Sequence, residues 1–104
     1  MNITIPHPYH DFTIYSKTGC VNCETAADLV RSFNLKYISC DEWLKIDREL
    51  FITEISRICK VPRITSFPLI FAKGEYIGGL NSLKVFLEDS IILNEERKIS
   101  EHIN

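Results

Sequence analysis

Two cysteines separated by two residues, in the stretch Thr18-Gly19-Cys20-Val21-Asn22-Cys23, are the residues of this chain best suited to chemistry. Phe12-Thr13-Ile14-Tyr15 precedes them and reads as a buried strand of β-branched and aromatic residues, closed by Ser16 and Lys17. Ala26, Ala27, Val30 and Phe33 follow at helical spacing with Leu29 beside them, so a helix opens at or near the cysteines. At such a junction the first sulfur lies beside unpaired backbone N–H groups, at the positive end of the helix dipole. Thiols in that setting have pKa values of roughly 3.5–7.5 instead of about 8.5, which makes the first a nucleophile near neutral pH. The second cysteine, one turn further in, is placed to attack a mixed disulfide formed by the first. The stretch therefore reads as a redox active site.

Cys-x-x-Cys is also half of many zinc sites, but such a site needs a second Cys or Cys/His pair at comparable spacing. Cys40 and Cys59 stand far apart, and the histidines (His7, His10, His102) lie towards the chain ends. Cys40 and Cys59 are expected to pack as small apolar side chains. The metal expectation is none.

The elements that must hold the site follow from the rest of the chain. At 104 residues it is long enough for a single domain over residues 1–104 with a core of its own. Twelve basic against fourteen acidic residues, in no block of one sign, remove electrostatic support for a nucleic-acid or membrane-surface partner. No apolar stretch has the length of a transmembrane helix, and the start lacks the pattern of a signal peptide. The expected location is cytoplasmic, in a reducing compartment where cysteines serve chemistry or packing. Repeats, low-complexity tracts and linkers are absent from the sequence.

Residues 1–11 read as an extended lead-in. The first helix is expected to end near Asn34 in a left-handed cap. Lys36 to Cys40 reads as a second strand, parallel to the first because a single helix joins them. Asp41 is a candidate cap for one helix from about Glu42 to Lys60, with Trp43, Leu44, Leu50, Phe51, Ile55 and Ile58 on its apolar face. Val61-Pro62 stops it. A loop through Ser66-Phe67-Pro68 leads to Leu69-Ile70-Phe71-Ala72, which pairs with Tyr76-Ile77 across a turn at Lys73-Gly74-Glu75. After Gly78-Gly79, Asn81 or Ser82 can cap a last helix carrying Leu83, Phe86, Leu87 and Ile91. Residues 94–104 read as a polar tail.

The element order is thus β-α-β-α-β-β-α, and here the sequence resembles the glutaredoxin family of the thioredoxin-like fold, over roughly Phe12 to Leu87. The resemblance rests on Tyr15-Ser16-Lys17-Thr18-Gly19-Cys20-Val21-Asn22-Cys23, on Ser66-Phe67-Pro68, and on Tyr76-Ile77-Gly78-Gly79-Leu80-Asn81-Ser82-Leu83. It implies an α/β fold with a four-stranded mixed sheet flanked by helices. It also implies a monomeric, glutathione-dependent thiol–disulfide oxidoreductase that carries electrons to protein disulfides or protein–glutathione mixed disulfides. Cys20 then matches the attacking thiolate and Cys23 the resolving thiol. Lys17 matches a lysine that steadies the thiolate and binds a glutathione carboxylate. Pro68 matches a cis-proline facing the site, and the main chain of Phe67 would pair with the cysteinyl part of glutathione. Gly79, Asn81 and Ser82 match the segment that holds the γ-glutamyl carboxylate, and Asn22 completes the glutathione-binding set.

The sequence departs from the family at Val21-Asn22, where the usual Pro-Tyr is absent, and at Ser82, where many relatives carry Asp. Loss of a charged hydrogen bond, on the order of 1.5–3 kcal/mol, would weaken glutathione binding. Relatives without the active-site proline are also the ones that tend to hold a [2Fe–2S] cluster between two subunits and two glutathiones. That gives an alternative reading as a cluster-binding or transfer module through Cys20.

Overall fold

The computed structural model describes residues 3–89. Its centre is β1 (Phe12–Ser16), whose five residues are all buried. Their β-branched and aromatic side chains suit a strand covered on both faces. β2 (Leu35–Ser39) pairs with it in parallel, running from Phe12 opposite Leu35 to Ser16 opposite Ser39. β3 (Leu69–Ala72) pairs antiparallel on its other side, and β4 (Glu75–Gly78) extends the sheet beyond β3, in the order β2-β1-β3-β4. The expected mixed four-stranded sheet is present. The turn from β3 to β4 has positive φ at Lys73 (48°) and Gly74 (88°), as a two-residue hairpin turn requires.

Alternation along β1 divides the core in two. Phe12 and Ile14 join Ile70, Ala26 and Val30 of α1 (Val21–Val30) and Leu83 of α4 (residues 80–89). Tyr15 faces the opposite side with Phe71 and Leu69, where it meets Phe51, Ile52, Ile55 and Cys59 of α3 (Arg48–Cys59). Each large apolar side chain fully buried this way contributes roughly 1.5–3 kcal/mol. The lead-in adds to the second cluster: Ile3 and Ile5 pack against it, and the Tyr15 hydroxyl donates to the Pro6 carbonyl.

Several boundaries differ from the sequence reading. The single helix expected from Glu42 to Lys60 is two, α2 (Asp41–Ile46) and α3, broken at Asp47. Asp47 is extended (φ −155°, ψ 91°), and its carboxylate accepts a hydrogen bond from the Leu50 N–H at 3.1 Å. An aspartate that caps a new helix leaves the old one, a competition that apolar periodicity does not register. Ile52, which the sequence reading leaves off the apolar face, is buried, whereas Leu50 is half-buried. Cys40, not Asp41, occupies the cap position of α2 and gives no side-chain cap. The helix of the cysteines ends at Val30, well before Asn34, on a right-handed Arg31. The left-handed helix cap is instead Lys60 (φ 60°), whose N–H reaches the carbonyls of Arg57 and Ser56 at the end of α3. Helix α4 begins ahead of both expected caps, and the Gly79 carbonyl accepts from the Leu83 N–H at 3.0 Å. Ile91 and the polar tail lie outside the described residues.

Cys40 and Cys59 are free thiols within the Tyr15 cluster. Burial pushes each thiol up to about 12, since a thiolate there would lose its water. The folded state therefore keeps both protons well above the pH at which the unfolded chain releases them. With the folded value raised, their contribution to stability is full below the unfolded pKa and is lost as pH rises towards the folded one. The urea midpoint of the protein with its Cys20–Cys23 disulfide intact is expected to be flat near neutrality and to fall from about pH 9 towards 12. Thiol titration at pH 8 should find no fast thiol in that oxidised form and one, Cys20, after reduction, with all four reacting once the reduced chain is unfolded. Rapid native labelling of Cys40 or Cys59 would overturn this account.

Candidate active site

Strand β1 ends at Ser16, and the chain turns through Lys17, Thr18 and Gly19 into α1. Gly19 has φ +77°, a backbone conformation that L side chains rarely adopt. Cys20 occupies the cap position of α1 with extended backbone (φ −98°, ψ 99°), and its sulfur accepts a hydrogen bond from the Cys23 N–H at 3.2 Å. The sulfur thus takes the place of the oxygen that usually caps a helix, against one of the N–H groups left unpaired at the first turn. Cys20 and Cys23 are paired as a disulfide, with Cα atoms 5.2 Å apart. Their environments differ: Cys20 is half-exposed, whereas Cys23 is fully buried. An incoming sulfur therefore reaches Cys20 first, and Cys23 is one turn behind it.

The turn is held from a neighbouring element. Asp41, the first residue of α2, accepts from the Thr18 N–H (3.0 Å) and from the Thr18 hydroxyl. These two hydrogen bonds hold the Asp41 carboxyl below its ordinary range. The sequence reading assigns Asp41 to a helix cap and gives Thr18 no partner. The register could have found the pair: β1 and β2 align each residue with one 23 positions later, and Thr18 and Asp41 continue that offset past the strand ends.

Next to the cysteines lies a groove of about 280 Å³, lined by Asn22, Ser66, Phe67, Pro68, Gly79, Leu80, Asn81 and Ser82. It gathers six of the seven non-cysteine residues that the sequence reading groups as a site. The Phe67–Pro68 bond is cis, as that reading expects. Gly79 sits close enough to Pro68 that an added Cβ would lie 3.7 Å from the Pro68 carbonyl oxygen. Gly78 (φ +118°) is tighter, because a Cβ there would fall 2.5 Å from the Ser82 hydroxyl. Only glycine at 78 therefore lets Ser82 settle where it does, at the start of α4 and the rim of the groove.

Lys17 is the seventh residue and stands apart. Its ammonium lies 5.7 Å from the centroid of the Phe67 ring, in cation–π range. It lines a second hollow of about 240 Å³ with Arg48, Ile52, Arg63, Ile64, Thr65, Ser66 and Phe67. Phe67 and Ser66 are common to both hollows. The sequence reading gives no role to Arg48 or Arg63. Arg63 forms a forked pair with Glu49 (3.0 and 3.2 Å), which lowers the Glu49 pKa and raises that of Arg63. Arg48 makes no ion pair among the described residues, so the hollow presents net positive charge. A larger hollow of about 600 Å³ runs past Phe12, Phe33 and Phe86 at the opposite end of β1, with no cysteine in its lining. Chemistry rather than size selects the site.

The described residues hold no group of three His, Cys, Asp or Glu side chains that could bind a metal ion. None of their helices is long and apolar enough to cross a membrane.

No protein-family model matches the sequence, and the search of curated proteins gives no match. Solved structures do match. Glutaredoxin 1 from Francisella tularensis, solved with cacodylate, is 29% identical with a TM-score of 0.64, covering 80% of this chain and 95% of that one. The reduced glutaredoxin of Escherichia coli is 21% identical with a TM-score of 0.61, covering 77% of this chain and 95% of that one. A buckwheat glutaredoxin–glutathione complex is 19% identical with a TM-score of 0.64, over 84% of this chain and 76% of that one. The last two, at such identities, speak for the fold alone. With that fold, that likeness and a paired Cys-x-x-Cys where β1 meets its helix, the chain is a glutaredoxin-like thiol–disulfide oxidoreductase of the dithiol type.

Proposed function

We propose that the chain is a glutathione-dependent reductant of protein disulfides and protein–glutathione mixed disulfides, with Cys20 as nucleophile and Cys23 as resolving thiol. The observation that carries this is the half-exposed Cys20 sulfur, capped by the Cys23 N–H and opening beside a groove, with Cys23 buried behind it. In the reduced protein the Cys20 thiolate attacks one sulfur of the substrate disulfide and expels the other as a thiolate. Cys23, deprotonated, then attacks the Cys20 sulfur, which closes the intramolecular disulfide and releases the second substrate thiol. Two glutathiones restore the dithiol and leave as oxidised glutathione. In the one-cysteine route, glutathione itself resolves the mixed disulfide.

Glutathione would lie across Phe67. Its γ-glutamyl carboxylate suits the N–H groups at the start of α4 beside Asn81 and Ser82, and its cysteinyl part the main chain of Phe67 and Pro68. Its glycyl carboxylate suits the cationic hollow, where Arg48 and Arg63 join Lys17. Asn22 and Gly79 complete the walls. The buckwheat complex shows that a protein of this fold takes glutathione. We place the working protein in a reducing, cytoplasmic compartment as a monomer, a setting in keeping with the free thiols of Cys40 and Cys59.

The alternative is a [2Fe–2S] module. To such a cluster this chain offers one half-exposed sulfur, Cys20, so a second copy and two glutathione sulfurs would have to complete it. Exchange needs only the two cysteines already paired, and it is the reading we adopt. Purification under anaerobic conditions with glutathione decides between them: a colourless protein is expected, and a brown one with visible absorbance would favour the cluster.

Two substitutions test the roles. Cys20→Ser is expected to abolish all exchange, whereas Cys23→Ser keeps deglutathionylation of a small mixed disulfide and loses reduction of protein disulfides. Equal loss of both activities in both variants would reject the assignment. Lys17→Ala is expected to raise the Cys20 thiol pKa only slightly, because the lysine is exposed and screened over about 8 Å, whereas the Cys23 N–H touches the sulfur. Its KM for glutathionylated substrate should rise roughly two- to five-fold, the scale of an exposed ion pair. Iodoacetamide reactivity against pH, beside steady-state kinetics, separates the two effects. A large pKa change with unchanged KM would make Lys17 the activator instead.

A further inference from the structure

We infer that Asp41 is a positioning residue for the exchange reaction, acting through Thr18 to hold the turn that presents Lys17 and Cys20. The inference rests on the thiol–disulfide reading of Cys20. The β1–β2 ladder carries on past Ser16 and Ser39 in two steps. The Cys40 N–H donates to the Ser16 carbonyl at 2.8 Å, and beyond it the Thr18 N–H donates to Asp41 Oδ1 at 3.0 Å. At that second step a side-chain oxygen stands where the ladder would otherwise use a main-chain carbonyl, since the main chain of Asp41 has already turned into α2. The second carboxylate oxygen takes the Thr18 hydroxyl. One carboxylate therefore fixes both the main chain and the side chain of Thr18, the residue between Lys17 and Gly19.

The turn has little else to hold it. Lys17, Thr18 and Gly19 are exposed, and the space around the Gly19 Cα is open. Gly19, with its wide backbone freedom, directly precedes Cys20, so a released Thr18 leaves the approach to the sulfur loosely defined. Cys20 itself stays tied to α1 by its own cap, and Cys23 is locked in the core. Loss of the clamp should therefore alter how Lys17 and the Cys20 rim meet a substrate more than it alters the fold. Because the bonds are exposed, their effect on global stability should be slight.

An electrostatic role for Asp41 predicts the opposite sign. Removing a negative charge near a thiolate lowers the thiol pKa and speeds alkylation at a given pH below it. A positioning role predicts a lower kcat/KM with the thiol pKa nearly unchanged. The variants are Asp41→Ala, which deletes the clamp; Asp41→Asn, which keeps an oxygen for the Thr18 N–H without the charge; and Thr18→Val, which removes only the hydroxyl bond. Wild-type deglutathionylation activity is measured first, and its absence would reject the exchange reading itself rather than the role of Asp41. Given that activity, Asp41→Ala is expected to lose about ten-fold in kcat/KM, mostly through KM, as misplaced binding groups do. Asp41→Asn should recover most of that loss, with Thr18→Val in between. The Cys20 pKa from iodoacetamide rates and the melting temperature should hold within about 0.3 units and about 4 °C across the set. Unchanged kcat/KM in Asp41→Ala, Asp41→Asn as impaired as Asp41→Ala, or a clear fall in the Cys20 pKa would each overturn the inference.

Discussion

Strand β1 is the constraint on which the rest depends. It is bonded on one edge by β2 and on the other by β3, and its side chains are buried on both faces. Such a strand has no freedom to slide, since a one-residue slip would exchange Ile14 and Tyr15 between clusters of different shape. The end of β1 is consequently the most firmly placed point from which a loop can leave the sheet. Cys20 lies four residues past Ser16, and Cys23 anchors the first turn of α1 back into the core. A reactive sulfur on a short loop between two fixed elements keeps its geometry, while its exposed side remains open to another molecule.

The surroundings of that sulfur include two separate segments, each brought in by the sheet. Phe67 and Pro68 arrive because β3 pairs with β1, and Ser82 arrives because the β3–β4 hairpin returns the chain to the same end. The two hollows that meet at Phe67 differ in the kind of positive potential they offer. On one side it comes from main-chain N–H groups at the start of α4, and on the other from the side chains of Lys17, Arg48 and Arg63. A peptide-like molecule with a carboxylate at each end fits that division better than a compact anion would. Gly78 is the quiet requirement here, because a side chain at that position would push Ser82 off the rim.

How much of this is legible in the sequence depends on whether the cause is local. The cysteine spacing, the apolar run Leu69 to Ala72 and the turn at Lys73-Gly74 are each carried by a few adjacent residues, and each reads correctly, while the cis bond before β3 is expected from the family resemblance. The fold class follows from their order. Asp41 and Asp47 show where local reading fails. Both are aspartates at a helix boundary, and a carboxylate can cap its own helix or bond elsewhere. Asp47 caps its own helix and so breaks what the apolar periodicity presents as continuous. Asp41 turns to Thr18, a choice decided by the β1–β2 register and invisible to any window of neighbouring residues. Lys17 is a milder case: the motif groups it with the other site residues, and only the folded chain shows that it lies over the Phe67 ring and outside the groove lining.

The four cysteines show how environment divides one chemistry into two uses. Cys20 has a hydrogen-bond donor aimed at its sulfur and one side open, so charge on it is solvated by protein and water together. Cys40 and Cys59 sit in the Tyr15 cluster, where burial is the main influence on both and raises both. Tyr15 and Tyr76, also raised mainly by burial, belong to the same apolar neighbourhood. A thiol that cannot ionise there neither attacks a disulfide nor readily oxidises, because both reactions proceed through the thiolate. Two cysteines can therefore work as small packing residues on the far side of β1's layer while the other pair exchanges disulfides at its end. The separation follows from solvation, and no disulfide or metal is needed to enforce it.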